Sequence, residues 1–275
     1  MGKIRGVDDG FRPGAERPFV GNASAYRTCK EVPVPPSFVM RSIAARNRLL
    51  ARRSRERMRR VRAAVEARRL RLREEIASSI THGAGLVLAV AAAPVLVVLG
   101  GLRGGTVHVA SFSIYGSSLV LCYAASTLYH AFQRPRLKHV FHILDHAAIY
   151  FLIAGTYTPI VLLSMNDPWG WTLLGGVWAL ALIGCVFKIF FVGRFHYLST
   201  AIYVVMGWLV VLALEPFLAS VPPAVFGWLL AGGVSYTAGV AFFVWERLPY
   251  NHAVWHLFVI GGSACHYAAM LIYVW

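Results

Sequence analysis

From residue 76 to the end, the chain is a succession of seven apolar runs, at roughly 78–100, 109–131, 140–163, 171–191, 198–216, 224–244 and 253–275. Each is long enough to cross a hydrocarbon core of about 30 Å as a helix. Lipid offers no hydrogen-bonding partners, so a spanning segment must satisfy its backbone internally. The expected fold is therefore an all-α integral membrane protein with seven transmembrane helices. The breaks carry turn or charge signals, among them Arg134-Pro135-Arg136, Asn166-Asp167-Pro168, Pro222-Pro223 and Arg247-Leu248-Pro249. Connections this short predict antiparallel neighbours and place the two termini on opposite sides of the membrane.

Charge is distributed very unevenly. Of 27 Lys and Arg, 20 lie in residues 1–75, where 8 of the 12 acidic residues also lie. The net charge of +15 is thus mostly N-terminal, and the chain is not a basic globule. Residues 1–40 are rich in Gly and Pro and lack periodicity, which predicts a disordered basic tail. Residues 41–75 contain no Gly or Pro and are crowded with Arg, Ala and Leu, which predicts a basic juxtamembrane helix. Residues 76–275 form the expected transmembrane domain. Basic residues favour the cytoplasmic side. With the N-terminus inside, the inner loops hold Arg134, Arg136, Lys138, Arg194 and Arg247, and the outer loops hold only Arg103. The expected orientation is N-terminus cytoplasmic, C-terminus outside. The juxtamembrane helix is expected to meet anionic lipid headgroups. No nucleic-acid partner is expected, because the basic stretch lacks interleaved aromatics and any recognition motif. The first 20 residues lack an apolar signal-peptide core, so the first span is expected to be retained. The four cysteines are scattered and read as small apolar residues.

Against this background a few polar residues stand out. Ionisable groups at membrane depth are costly and usually face a bundle interior, so each is a functional candidate. His130 closes the second run, Asp145 opens the third, and His252 and His256 open the seventh. In the expected topology all four fall in one layer. His252 and His256 are spaced i, i+4, which puts both imidazoles on one helix face. Three neutral imidazoles leave a fourth coordination position open, as catalytic zinc sites do. Asp145 is the candidate general base, and the expected chemistry is hydrolysis of an amide or ester in a membrane lipid. Ser126 lies i−4 from His130. It either orients a ligand or donates to a developing oxyanion, or it bonds back to its own helix carbonyl. His139, His142 and His146 read as interfacial, His196 as a loop residue and His266 as a helix–helix hydrogen-bonding residue. His82 lies about one turn into the first span and is a candidate to support the ligands. Glu75 could reach the same layer from the interface, but reads first as a helix-start carboxylate.

These residues carry a resemblance. Glu74-Glu75-Ile76-Ala77 with Thr81-His82-Gly83, the segment Ser126–His130, Leu144–Tyr150 running into Ala154–Pro159, and the HxxxH at His252 and His256 resemble, in order, the hemolysin III family. That family belongs with the progestin and adipoQ receptors and is related to alkaline ceramidases. The resemblance covers residues 74–275. It implies zinc held by His130, His252 and His256, with Asp145 and Ser126 beside the water that zinc activates, and a bacterial plasma-membrane location. The family often has Asn where this chain has Ser78. The resemblance leaves two functional classes open: a zinc-dependent lipid hydrolase, or a receptor-like or pore-forming protein with a structural metal site.

Overall fold

The structure, a computed structural model, describes residues 35–274. The order is α1 (Pro36–Arg103), α2 (Thr106–Ala131), α3 (Pro135–Ser164), α4 (Pro168–Phe191), α5 (His196–Gly207), a 3₁₀ turn (Leu209–Ala213), α6 (Leu214–Ser220), α7 (Pro223–Val244) and α8 (Asn251–Ile272). Seven helices, counting α5 to α6 as one span, are long and apolar enough to cross a membrane. Most of the expected tail at 1–40 falls outside the described residues. The expected basic helix and the first span are one continuous helix, α1. The chain divides into a unit ending at Val61 and a second unit from Arg62. The described part of the first unit is exposed helix almost throughout.

Within the second unit the helix starts are encoded locally. Pro135, Pro168 and Pro223 each open a helix, where a missing N–H costs nothing and the fixed φ is already helical. Asp167 caps α4, its carboxylate accepting from the Gly170 N–H at 2.7 Å. Helix α3 is the most enclosed element, with Asp145, Ala148, Tyr150, Ala154 and Val161 all buried. It packs closely against α2 and α4, and α7 packs closely against α8. The main core joins Phe112, Tyr115 and Leu119 of α2 to Leu96 of α1, Val161 of α3 and Met270 of α8. Lipid tails are as apolar as these side chains, so close backbone approach matters more than burial alone. Gly85 of α1 illustrates it: a Cβ there would lie 2.7 Å from the Tyr123 ring of α2.

The fifth span is not the uninterrupted helix expected over 198–216. It breaks after Gly207 into the 3₁₀ turn and α6. A break in lipid exposes backbone groups that must find partners. Tyr157 of α3 supplies them. Its hydroxyl shares its proton between the carbonyls of Met206 and Gly207 (3.1 and 2.9 Å) and accepts from the Val210 N–H (3.1 Å). Trp208 in the break donates its indole N–H to Thr237 of α7 at 3.0 Å.

Two glycine substitutions test this packing. Gly85→Leu is expected to lower the unfolding midpoint in detergent, by the roughly 1–3 kcal/mol of an overpacked contact. Gly175→Ala, where a Cβ meets nothing, is expected to leave it unchanged or raise it, within the roughly 1 kcal/mol difference in helix propensity.

Candidate metal centre

The end of α2, the start of α3, the start of α8 and residues 75–82 of α1 share one end of the bundle. The α7–α8 connection is held there by two contacts. Asn251 donates its side-chain amide to the carbonyls of Phe242 and Phe243 (3.3 and 3.1 Å), closing the end of α7. Tyr250, in the left-handed region at φ 59°, donates its backbone N–H to the Glu74 carboxylate at 3.1 Å. Helix α8 therefore starts at a fixed point, with His252 and His256 in its first two turns.

Among the described residues, one group of three metal-capable side chains comes together: His130, His252 and His256, whose ligand nitrogens lie within 4.8 Å of one another. Their ring centroids are 4.6–5.1 Å apart. In a tetrahedral zinc site with Zn–N near 2.05 Å the nitrogens stand about 3.4 Å apart, within reach of small side-chain rotations.

The tautomers fit metal binding. His130 Nδ1 lies 2.9 Å from Glu75 Oε2, an acceptor, so Nδ1 carries the proton. His130 Nε2 is then a lone pair, and it is buried with no partner. His256 Nδ1 lies 3.1 Å from the Ser78 carbonyl and 3.1 Å from Thr81 Oγ. A carbonyl only accepts, so this Nδ1 is protonated too and Nε2 is free for a metal. Imidazoles whose far nitrogen is held by a carboxylate or carbonyl are the usual metal-ligating arrangement. The donor set suits zinc, and three neutral imidazoles suit other divalent transition metals also.

Glu75, read first from the sequence as a helix-start carboxylate, instead reaches this layer as the partner of His130, the second of its two sequence readings. Its second oxygen, Oε1, pairs with Lys138 Nζ at 2.8 Å. The carboxylate thus joins α1 to His130 of α2 and Lys138 of α3. The charge was visible in the sequence; its partner, 55 residues away, was not. Lys138 also lies over the Tyr129 ring, and Tyr129 stacks on His142.

Asp145 and Ser126 are both buried and line one cavity with His252 and His256. The Ser126 hydroxyl neighbours the Asp145 carboxylate without reaching hydrogen-bonding geometry, and has no other partner. Its hydrogen bond back to the helix, one of the two expectations, is not made. His82 stacks on His256, with ring centroids 3.4 Å apart at 13°, and meets the Tyr123 edge. His139 is exposed and His142 and His146 are half-buried. His196 is the first residue of α5, stacked on Phe243, rather than a loop residue. His266 bonds the Leu229 carbonyl of α7 at 3.2 Å.

The cavity, about 220 Å³, leaves this layer and runs between α3, α5, α7 and α8. On α3 its wall extends from Asp145 to Ile160, about 22 Å of helix. Beyond the metal layer the lining is mainly Ile, Leu, Val and Phe.

Removal of the Glu75 carboxylate tests its role. Glu75→Ala is expected to weaken metal affinity about 10–100-fold, the usual cost of losing a ligand's outer partner, measured by chelator competition on detergent-purified protein.

Comparison with known proteins agrees with the motif order. The family model for haemolysin-III-related proteins matches residues 70–267. Hemolysin-3 of Bacillus cereus is 48% identical over 203 residues, covering 74% of this chain and 93% of that protein. The Hemolysin-3 homolog of Bacillus subtilis (strain 168) is 46% identical over 202 residues, 74% of this chain and 95% of that protein. Monocyte to macrophage differentiation factor of Homo sapiens is 30% identical over 171 residues, 59% of this chain and 69% of that protein. No solved structure matches. With seven spanning helices and bacterial relatives at nearly half identity, the chain is an integral membrane protein of the bacterial plasma membrane, and it belongs to the haemolysin-III-related family.

Proposed function

We propose that this protein is a zinc-dependent membrane hydrolase acting on an amide or ester lipid. The observation that carries the reading is the junction of two features: three gathered imidazoles, two of them with tautomers set for a metal, and an apolar cavity that begins beside them. An acyl chain fits the cavity while its carbonyl lies at the polar end. His130, His252 and His256 hold the metal, which when bound supplies Lewis acidity toward a carbonyl oxygen and acidifies water. Asp145 accepts the proton of the attacking water and returns it to the leaving nitrogen or oxygen. Ser126, with its hydroxyl uncommitted, donates to the oxyanion as it develops. The surrounding apolar wall excludes bulk water and strengthens these contacts. We further propose the N-in, C-out orientation, which puts the centre at the cytoplasmic side, with exposed arginines of α1 on anionic headgroups.

A second reading is a receptor-like or pore-forming protein whose metal ties α2 to α8. Its support is the name of the bacterial relative, Hemolysin-3. The mainly apolar lining of the cavity counts against a wide aqueous channel.

Elemental mass spectrometry is expected to find about one zinc per chain, as a three-histidine site holds, and none in the His252→Ala, His256→Ala double variant. Lipid amide or ester turnover is expected to vanish with the metal. Full metal content in the double variant would overturn the site. Dye release from sealed liposomes, undiminished when all three histidines are replaced, would favour the pore.

A further inference from the structure

One charged group near the metal layer has no role in the chemistry above. Lys188, in the last turn of α4, is fully buried. Its ammonium donates to the Ser199 hydroxyl of α5 at 2.7 Å and lies 5.9 Å from the Tyr203 ring. Among the described residues no carboxylate pairs with it. Three imidazoles share its field: the charge on Lys188 acts on His142 and His146 of α3 and on His196 at the head of α5. Those rings form a row, His142 lying 4.8 Å from His146 and His146 lying 6.4 Å from His196 between centroids. All three are half-buried, and of their six ring nitrogens only His146 Nδ1 is enclosed without a partner; the others keep accessible surface. His146 also lines the cavity, next to Asp145. Helix α5 begins here without a side-chain cap, so the positive end of its dipole adds to the field. The acidic group that acts on His196 is Glu246, whose carboxylate accepts from Tyr197 at 3.2 Å.

A buried ammonium without a counter-charge is costly, because nothing replaces its lost hydration. Imidazoles supply N–H donors but no negative charge. What the cluster lacks is an anion, and the accessible ring nitrogens give one a place to bind at the edge of the cavity. We propose that His142, His146, His196 and Lys188 form an oxyanion site for the headgroup of the lipid whose acyl chain lies in the cavity. The imidazoles donate to the oxyanion, and Lys188 attracts it by charge from behind them. The substrate class narrows accordingly, from amide and ester lipids in general to those whose headgroup carries an oxyanion such as phosphate. The inference rests on the reading of the cavity as an acyl-chain site.

Two lipids with the same oleoyl chain test it: 1-oleoyl lysophosphatidic acid, which carries a phosphate, and 1-oleoylglycerol, which is neutral. Affinities are measured on zinc-loaded protein in neutral detergent, by displacement of a fluorescent long-chain alcohol. The phosphate lipid is expected to bind about tenfold more tightly, the low end for hydrogen bonds to a charged group. Lys188→Met replaces the ammonium with an apolar chain, and is expected to lower that preference while 1-oleoylglycerol binds as before. Zinc also attracts phosphate, so the comparison is repeated after a chelator has removed the metal. The preference is expected to persist there, and its disappearance would overturn the site by moving the headgroup onto the metal. Equal binding of the two lipids by the native protein would also overturn it, leaving Lys188 as a tie between α4 and α5, and needs no variant to be read. An undiminished preference in Lys188→Met would overturn the assignment to this cluster. Inorganic phosphate is expected to compete only at concentrations far above that of the lipid; phosphate alone binding as tightly as the lipid would overturn the headgroup in favour of a free anion. If neither lipid binds, the acyl-chain reading fails and the oxyanion site fails with it, whereas equal binding removes the oxyanion site alone.

Discussion

Two consecutive carboxylates on α1 hold the metal layer together. Glu75 reaches His130 of α2 and Lys138 of α3, and Glu74 reaches the backbone N–H of Tyr250 at the head of α8. The three imidazoles come from two helices that have no sequence proximity and that meet directly through the Tyr123 hydroxyl of α2 on Ser263 of α8 at 2.9 Å. At the imidazole layer the first helix joins them, through acceptors one residue apart, assisted one turn later by the Ser78 carbonyl on His256. Partly buried charge of this kind is maintained only when each oxygen has a donor, and here the observed acceptors on Glu75 both do. The site is therefore a property of the α1 register as much as of its own histidines.

Much of this was legible before any coordinates. The spans follow from apolar run length, and the pairing of His252 with His256 from helical periodicity, both local signals. The shared layer of His130, Asp145 and the HxxxH followed from alternating helix direction alone. What escaped the sequence was non-local. Glu75 looks like any acidic residue at a helix start until α1 and α2 are in register. The break after Gly207 carries no proline; what stabilises it is a tyrosine some fifty residues earlier, on α3. His196 was misplaced because the turn before it is built on Phe195 at φ 53°, a backbone conformation that a phenylalanine does not advertise.

Polar groups inside the bundle fall into two sets with different physics. Tyr157, Tyr123, Ser263 and Thr158 complete hydrogen bonds between or within helices and make the packing specific. His82, Ser126, His130 and His266 each keep at least one atom without a protein partner, and all but His130 line the cavity. Tyr115 and Tyr150, fully buried away from the cavity, also keep a hydroxyl without a partner, so unmet capacity by itself does not mark a binding surface. A metal on the three imidazoles would account for His130, and the proposed oxyanion contact for Ser126.

The hold on His256 runs through the main chain. The atom that fixes its tautomer is the carbonyl oxygen of Ser78, with the Thr81 hydroxyl alongside. An amide carbonyl is present whatever side chain position 78 carries, so this contact does not depend on the serine hydroxyl. A comparison of side chains across relatives would overlook one of the atoms on which the centre depends.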